Sequence, residues 1–246
     1  MRRFFIDPDQ IHGDIVRFSP EETHHLRTVL RLKPGAAIEL FDGAGQIYTA
    51  KLTSLDRHLV EATIYETRAV VAPTATPLSL AVAMLKGQKM DLVVQKATEL
   101  GVTRLLPVRY RYTESGNNSK RKVRWQKIMR EACKQCRRSH AMSIEDPVSL
   151  KQLVYEPAEH RFFAWERQGV SAEIELPVTS SILAVIGPEG GIHPDESKLL
   201  LAAGFAPVGL GPLILRAETA AIALCALLQH KCGNWNPREG GSAGKG

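Results

Sequence analysis

Short segments in which apolar and polar residues alternate follow one another through the first 68 residues. This period-two pattern predicts strands at residues 3–6, 15–18, 37–41, 46–53 and 59–66. One helix interrupts the series, because Ser19 is a good N-cap, Pro20 suits the first helical position and Glu22 completes a capping box. The pattern predicts a small β-rich domain over residues 1–68.

The pattern changes after residues 69–77, which include Pro73 and Pro77 and show no helical period. This composition is typical of a linker between domains. Beyond it, apolar runs predict buried strands at 78–84, 102–108, 161–165, 181–186 and 205–210. Helical spacing predicts helices over 90–100, over 122–138, from about Pro194, and over 217–230. We therefore predict an α/β domain with a mostly parallel sheet over 78–236, followed by a flexible tail at 237–246.

The last predicted helix, over 217–230, is apolar on all sides. Such a helix is buried, either in the core of its own domain or against a second subunit.

The charge of the chain is concentrated in one segment. The chain of 246 residues carries a net charge of +6, but the segment 104–138 holds 12 Lys and Arg against two acids. A block of this size is either a solvated helix face or a surface for a polyanion, and we favour RNA or DNA. No apolar run of 18 residues and no signal peptide is present, so we expect a cytoplasmic protein without a membrane partner.

The four cysteines do not indicate a disulfide scaffold or a metal site. Cys133 and Cys136 form a C-x-x-C, but Cys225 and Cys232 lie too far apart to complete a zinc site. We interpret Cys133 and Cys136 as buried or half-buried thiols in a helix, and we predict no metal.

Two glycine-bearing loops carry the candidate chemistry. Residues 187–191 follow the strand at 181–186, and residues 211–216 follow the strand at 205–210. The carboxyl ends of parallel strands meet at one edge of a sheet, so both loops border one crevice. Neither loop has the spacing of a dinucleotide or Walker motif, and tight turns are the alternative interpretation. Arg216, Glu218 and Thr219 begin the last helix, where they either cap it or, for Arg216, project into the crevice.

Three motifs together resemble the bacterial RsmE family of the SPOUT superfamily. They are Gln95-Lys96-Ala97-Thr98-Glu99-Leu100-Gly101-Val102, Ile186-Gly187-Pro188-Glu189-Gly190-Gly191 and Leu210-Gly211-x-x-Ile214-Leu215-Arg216-x-Glu218-Thr219-Ala220. The segment from His25 to Leu32, with Phe41-Asp42-Gly43, resembles the PUA-like domain of that family. The resemblance implies an S-adenosylmethionine-dependent methyltransferase that acts on N3 of one uridine in small-subunit (16S) ribosomal RNA. It also implies a deep trefoil knot in the second domain, an N-terminal PUA-like β-barrel and a homodimer.

The same resemblance implies the site residues. Backbone groups of the two loops, with a third loop after residues 161–165, are expected to hold the cofactor through Trp165, Ile186, Gly187, Glu189, Gly190, Gly191, Leu210, Gly211, Ile214, Leu215, Arg216, Thr219 and Ala220. Arg216 is the candidate for stabilising the anion that uracil becomes, and Glu218 is the candidate proton acceptor. Many family members have Arg where this sequence has Leu213, which places more weight on Arg216.

Candidate RNA contacts come from the charge pattern. They are Arg2, Arg3, Arg27 and Arg31 in the first domain and Arg111 and Arg121 in the second. Three alternatives remain: a SPOUT methyltransferase with another RNA target, an RNA-binding protein without catalysis, and a phosphate-binding enzyme that uses His193. His193 is better explained as part of a helix start.

Overall fold

A computed structural model describes residues 1–57, 59–71, 76–111, 118–166, 174, 176–177 and 180–235. The chain divides into two compact units, Met1–Ala72 with Cys133–Ala141, and Pro73–Ala132 with Met142–Gly246. Part of the predicted linker (residues 72–75) and the whole predicted tail (237–246) lie outside the described residues.

In the first unit, six strands form one sheet in the order β1-β4-β5-β6-β3-β2 within the described residues. These strands are β1 (Arg2–Phe5), β2 (Ile11–His12), β3 (Ile15–Arg17), β4 (Ala37–Phe41), β5 (Gln46–Leu55) and β6 (Val60–Ala69). All of their ladders are antiparallel except β1 with β4. Alternating apolar residues of the strands form the core, including Phe4, Val16, Ile38, Leu40 and Leu52.

The predicted helix of this unit begins where the capping signals place it. Helix α1 (Pro20–His24) has Ser19 as N-cap, and the Ser19 side chain accepts a hydrogen bond from the Glu22 backbone at 3.2 Å. The helix continues as a π-helical turn over His25–Val29. The Glu22 side chain was predicted to complete the capping box, but its carboxylate instead forms an ion pair with Lys134 at 2.8 Å.

The first unit also contains a segment that the predicted boundaries place in the second domain. Cys133–Ala141 belongs to it, because Ala141 N–H donates to the Gly43 carbonyl at 2.8 Å and Gly45 N–H donates to the Ser139 carbonyl at 3.2 Å. Helix α3 (Asn118–Cys136) therefore runs across the division between the units. The hydrophobic pattern of the sequence did not predict this division, because the helical spacing continues without a break through residues 132 and 133.

The second unit contains the predicted parallel sheet. Its strands follow the order β10-β8-β7-β12-β11-β13, with β9 paired to β8, and all of these ladders are parallel in the described chain. The strands are β7 (Leu78–Ala83), β8 (Arg104–Arg109), β9 (Ser143–Ile144), β10 (Val148–Ser149), β11 (His160–Ala164), β12 (Ile182–Ile186) and β13 (Ala206–Val208). Every residue of β12 is buried, as its unbroken apolar run predicts. The trefoil knot stays a prediction.

The helices of this unit are α2 (Lys89–Glu99), most of α3, α4 (Leu150–Leu153), α5 (Pro194–Ala202) and α6 (Ala217–Lys231). Gly101 has φ +83° after the end of α2, which is the left-handed conformation that a residue just past a helix end adopts. Helix α6 buries one side, including Ala221, Leu224 and Leu228, whereas Ile222 and Leu227 are only half-buried. No described helix is both long and apolar enough to cross a bilayer.

Both cysteines of the C-x-x-C lie in α3, as predicted. Cys133 is buried and Cys136 half-buried, and both are free thiols. Burial raises the pKa of Cys133 to about 11, which keeps this thiol protonated and unreactive near neutral pH. No group of three or more potential metal ligands occurs among the described residues.

Candidate functional site

Three loops meet at one edge of the parallel sheet. Strands β12, β11 and β13 are neighbours and all run in the same direction, so their carboxyl ends lie side by side. The loops that leave them begin with Gly187, Trp165 and Gly209. Trp165 N–H also donates to the Val208 carbonyl at 3.0 Å, which ties the first residue after β11 to the end of β13. The sheet therefore assembles the three loops that the sequence analysis assigned to a ligand.

The loop after β12 turns back tightly on itself. Gly191 has φ +80°, and its N–H donates to the Pro188 carbonyl at 2.9 Å. A Cβ on Gly187 would come within 2.4 Å of the Ile192 side chain, and a Cβ on Gly191 would lie 2.9 Å from Glu166 Oε1. Gly187 needs glycine because a side chain there would collide with Ile192, and Gly191 needs it chiefly because of its positive φ.

The three loops enclose a cavity of about 260 Å³, near the lower end of the range for small-molecule sites. Its wall is formed by Ala164, Trp165, Glu166, Ile186, Gly187, Pro188, Glu189, Gly190, Gly191, Ile192, Leu210, Gly211, Leu213, Ile214, Leu215, Ala217 and Ala220. Eleven of these residues are among those predicted from the sequence to hold the cofactor. Most of the wall is apolar side chain or glycine backbone, and its charged members are two carboxylates, Glu166 and Glu189. Among the described residues that line it there is no Lys, Arg or His.

Three predicted site residues are not part of this wall. Arg216 is exposed and acts as the N-cap residue of α6, between the lining residues Leu215 and Ala217, so it stands at the rim. Thr219 is exposed. Glu218 is 8% exposed, and its Oε2 has no hydrogen-bond partner among the described residues. All three residues lie at the N-cap or in the first turn of α6, as the capping interpretation predicts, and none of them lines the cavity.

Glu189 connects the glycine loop to the end of a fourth strand. Its Oε1 accepts hydrogen bonds from Lys89 Nζ at 3.1 Å and from the Lys86 backbone at 3.3 Å, both in the segment that follows β7. Desolvation acts to raise the pKa of Glu189, but the hydrogen bonds from its own backbone N–H, from Lys89 and from Lys86 outweigh it and lower the pKa. The carboxylate is therefore held ionised and paired.

A second cavity shares residues 188–192 of this glycine loop with the first. It measures about 550 Å³ and is lined by Lys86, Lys89, Pro188, Glu189, Gly190, Gly191, Ile192, His193 and Pro194. Helices α2 and α5 begin at Lys89 and Pro194, so two positive helix ends border it. Lys86, Lys89 and Glu166 were not predicted from the sequence as site residues. Each of them follows the carboxyl end of a parallel strand, as the glycine loops do, so the same position in the sheet could have identified them.

His193 takes the structural role that the sequence favoured. It is the N-cap of α5, and its Nδ1 accepts a hydrogen bond from the Asp195 backbone at 3.3 Å. The Glu196 side chain accepts from the His193 backbone in return. This arrangement is a capping box, and it offers no support for His193 as a catalytic base.

The arginines predicted to contact RNA fall into different environments. Arg2, Arg31 and Arg111 are exposed, and Arg27 and Arg121 are half-buried. The side chain of Arg3 is only 6% exposed; it pairs with Glu39 at 3.3 Å, and its guanidinium lies 4.3 Å from the centre of the Phe41 ring. Burial lowers the pKa of Arg3, and Glu39 opposes this effect. Arg3 is thus a structural residue, and we withdraw it from the candidate phosphate contacts.

Several cations of the basic segment are paired with acids from elsewhere in the chain. Lys122 pairs with Asp146 at 2.9 Å, Arg124 with Asp91, and Arg104 with Glu156 at 2.6 Å. The local excess of positive charge counted along the sequence therefore overstates the charge that this surface presents.

Comparison with known proteins identifies similarity along most of the chain. Residues 72–229 match the family described as RNA methyltransferase domain, and residues 18–65 match the family described as RNA methyltransferase PUA domain.

Individual relatives carry a consistent name. The chain is 30% identical to the ribosomal RNA small subunit methyltransferase E of Bacillus subtilis, over 94% of this chain and 97% of the relative. It is 31% identical to the protein of the same name from Synechocystis, over 89% and 74%.

Two solved structures share the fold over nearly the whole chain. A ribosomal RNA small subunit methyltransferase E from Neisseria gonorrhoeae, bound to S-adenosyl methionine, is 32% identical with a TM-score of 0.85, covering 94% of this chain and 97% of that one. A methyltransferase from Legionella pneumophila in complex with S-adenosyl methionine is 29% identical with a TM-score of 0.84, covering 93% and 96%.

Proposed function

We propose a specific reaction for this chain, which belongs to the RNA methyltransferase family. The chain methylates N3 of one uridine in small-subunit ribosomal RNA, with S-adenosylmethionine as the methyl donor. The residues 72–229 that match the family contain the whole sheet edge on which the cavity is built. Relatives named ribosomal RNA small subunit methyltransferase E support the choice of RNA. The N3 position of uridine rests on the resemblance of the three motifs to the RsmE family.

The observation that carries the choice of donor is the charge of the first cavity. S-adenosylmethionine combines an apolar adenine with a positively charged sulfonium, whereas a nucleotide or sugar phosphate is an anion. A wall of apolar residues and glycine backbone with two carboxylates, and no cation among its described members, fits the first ligand and disfavours the second. Gly187 and Gly191, where a side chain would collide with the wall, leave backbone groups open to the ligand.

When bound, S-adenosylmethionine supplies a methyl group on a positively charged sulfur, a good leaving group in an in-line displacement. The residues of this chain contribute alignment and a sheltered site, since the three loops fix the cavity wall on neighbouring strands. Leu210, Ile214 and Leu215 offer an apolar surface for adenine.

Arg216 is the residue that we propose for stabilising the reacting uracil. Loss of the N3 proton leaves negative charge on the ring oxygens, and Arg216 stands exposed at the cavity rim, where a guanidinium meets such an oxygen without displacing the cofactor. Glu218 stays our candidate proton acceptor because its buried Oε2 has no described partner, although its carboxylate also suits the positive end of α6.

The second cavity supports an RNA substrate. Lys86 and the two helix N-termini that border it favour a phosphate, whereas the charge of Lys89 is paired with Glu189. The two cavities share the segment 188–192, so we propose that a nucleotide whose phosphate binds in the second cavity places its base toward the first. We propose that exposed arginines such as Arg2, Arg31 and Arg111 assist by neutralising further phosphates.

We propose further that the enzyme is a homodimer in the cytoplasm, where ribosomal RNA is made and modified. Leu213 and Ile214 are 77% and 85% exposed although they line the cavity. In α6, which follows them in the sequence, Ile222 and Leu227 are only half-buried. A second subunit would cover such apolar surface. Light scattering on the purified full chain measures the mass directly; a monomer at micromolar concentration contradicts this assembly.

Titration calorimetry and nucleoside mass spectrometry test the proposed activity. Calorimetry with S-adenosylmethionine should show one site per chain. In a bacterial strain that lacks its own copy of this enzyme, expression of this chain should restore 3-methyluridine in small-subunit RNA. Methylation at another position of the nucleoside would replace the proposed target, and absence of cofactor binding would leave an RNA-binding protein without catalysis.

Replacement of Arg216 tests the proposed mechanism. We expect Arg216→Ala to bind the cofactor within about threefold of the wild type but to lose at least about a hundredfold in methylation rate, as removal of one charge-stabilising group does elsewhere. Lys198→Ala, which removes an exposed cation from α5, is the matched control and should keep full activity. Full turnover by Arg216→Ala would reject the role of Arg216.

A further inference from the structure

Glu166 occupies a position that no motif of the sequence explains. It is the second residue after β11, it lines the first cavity, and its side chain is exposed. Its Oε1 lies 2.9 Å from the point where a Cβ on Gly191 would stand, so the carboxylate rests against the glycine loop. The absence of a side chain at Gly191 is what lets this carboxylate occupy the cavity wall.

The two carboxylates of the wall differ in their pairing. Glu189 is bound by Lys89 at 3.1 Å and by the Lys86 backbone, so its charge is largely balanced. For Glu166 the described residues provide neither an ion pair nor a hydrogen bond. Since the described part of the wall also holds no cation, Glu166 gives the cavity an unbalanced negative charge.

We propose that Glu166 makes the cavity prefer the positively charged sulfonium cofactor over the neutral thioether product. This inference rests on the proposed function and deepens it. S-adenosylmethionine carries a net charge of +1, whereas S-adenosylhomocysteine carries equal numbers of positive and negative charges. Methyl transfer removes the charge on sulfur, so the attraction of Glu166 for the ligand falls when the reaction is complete. The same carboxylate thereby favours binding of the donor and release of the product.

A role in packing or in hydrogen bonding to the ribose predicts a different result. The ribose and adenine are identical in donor and product, so loss of a ribose contact weakens both ligands equally. An interaction with the methylated sulfonium, the one group in which the two ligands differ, changes the ratio of the two dissociation constants, and Glu166→Gln alters the charge that this group meets while keeping the side-chain volume. The ratio is therefore the quantity to measure.

The experiment is calorimetry with the full-length Glu166→Gln variant, which keeps the side-chain volume and removes the charge. We expect the dissociation constant of S-adenosylmethionine to rise about three- to fivefold, typical of an exposed charge pair, and that of S-adenosylhomocysteine to change less than about twofold. Glu159→Gln is the matched control. Glu159 precedes the same strand at its opposite end, about 20 Å away, and pairs with Ser181, so both constants should stay unchanged.

A second measurement keeps the inference falsifiable if Glu166→Gln does not fold. In the wild type, added salt should weaken S-adenosylmethionine more than S-adenosylhomocysteine, because screening acts on the charged ligand. Equal weakening of both ligands in the variant, no change in either, or equal salt dependence in the wild type overturns the inference. If the wild type binds neither ligand, the proposed function itself fails, and the inference fails with it.

Discussion

At the scale of single residues, the glycines of one loop differ in whether a side chain could replace them. Gly187, Gly190 and Gly191 belong to one motif, yet a Cβ on Gly187 would collide with Ile192, one on Gly191 would approach Glu166, and one on Gly190 would meet nothing within 4 Å. Gly191 also has a positive φ, which side chains other than glycine rarely adopt. A sequence motif identifies the loop, but the backbone conformation decides which glycine is indispensable.

Replacement of these glycines should therefore have unequal effects. Gly191→Ala should lower the free energy of unfolding by about 1 to 2 kcal/mol, because alanine is strained at a positive φ and its Cβ crowds Glu166. Gly190→Ala is the control and should be neutral or slightly stabilising, since it restricts the unfolded chain without a collision. Urea unfolding of both variants measures the difference. Equal destabilisation would mean that the loop conformation differs from the one described.

At the scale of elements, the site depends on neighbouring parallel strands and on a helix that holds the sheet from one side. Helix α6 begins at the cavity with Ala217 and Ala220 and is anchored at its other end by buried Gln229. Gln229 Nε2 donates to the Leu100 carbonyl at the end of α2 at 2.7 Å, and Gln229 Oε1 accepts from Asn234 at 2.6 Å. The capping carbonyl of one helix is thus satisfied by a side chain of another.

Removal of this anchor should destabilise the second unit. Gln229→Ala leaves the half-buried Leu100 carbonyl without this donor, and we expect the free energy of unfolding to fall by about 1 to 2 kcal/mol. Gln95→Ala, at an exposed position of α2, should change it by less than about 0.5 kcal/mol. Thermal denaturation followed by circular dichroism compares the two. A stable Gln229→Ala protein would show that water replaces the lost hydrogen bond.

At the scale of the whole molecule, the charge pattern seen along the sequence is rearranged by folding. The basic segment is partly neutralised by acids that lie outside it in the chain, such as Asp91, Asp146 and Glu156. Arg2 and Arg3 are adjacent in the sequence, but Arg2 is exposed and Arg3 is buried against Glu39. Net charge along the sequence therefore indicates a nucleic-acid partner without identifying the residues that contact it.

This contrast gives a test of the proposed RNA surface. Arg2→Ala should leave stability unchanged and reduce the slope of log affinity for small-subunit RNA against log salt by about 0.7 to 0.9. Arg3→Ala should instead lower the free energy of unfolding by about 2 to 4 kcal/mol, because it leaves Glu39 buried with its remaining partner Arg68 more distant at 3.5 Å. RNA titrations at several salt concentrations and urea unfolding separate the two effects. A reduced salt slope for Arg3→Ala with unchanged stability would return Arg3 to the RNA surface.

The sequence by itself determined most of the longer elements and the position of the glycine loops, but not the short strands β2, β9 and β10 or the short helix α4. Alternation in residues 1–68, the apolar run that became β12 and the capping signals at Ser19 are local properties, so they could be interpreted without the fold. The glycine loops followed from the rule that parallel strands present their carboxyl ends at one edge.

Only the tertiary structure decided which charges are available. Whether Arg3 is buried, whether Glu189 is paired with Lys89, and whether Glu166 faces Gly191 depend on residues that are distant in the chain. The same is true of the segment Cys133–Ala141, which joins the first unit through hydrogen bonds to residues 43–45. Electrostatic pairing and burial are properties of neighbours in space, and the order of residues in a chain does not specify those neighbours.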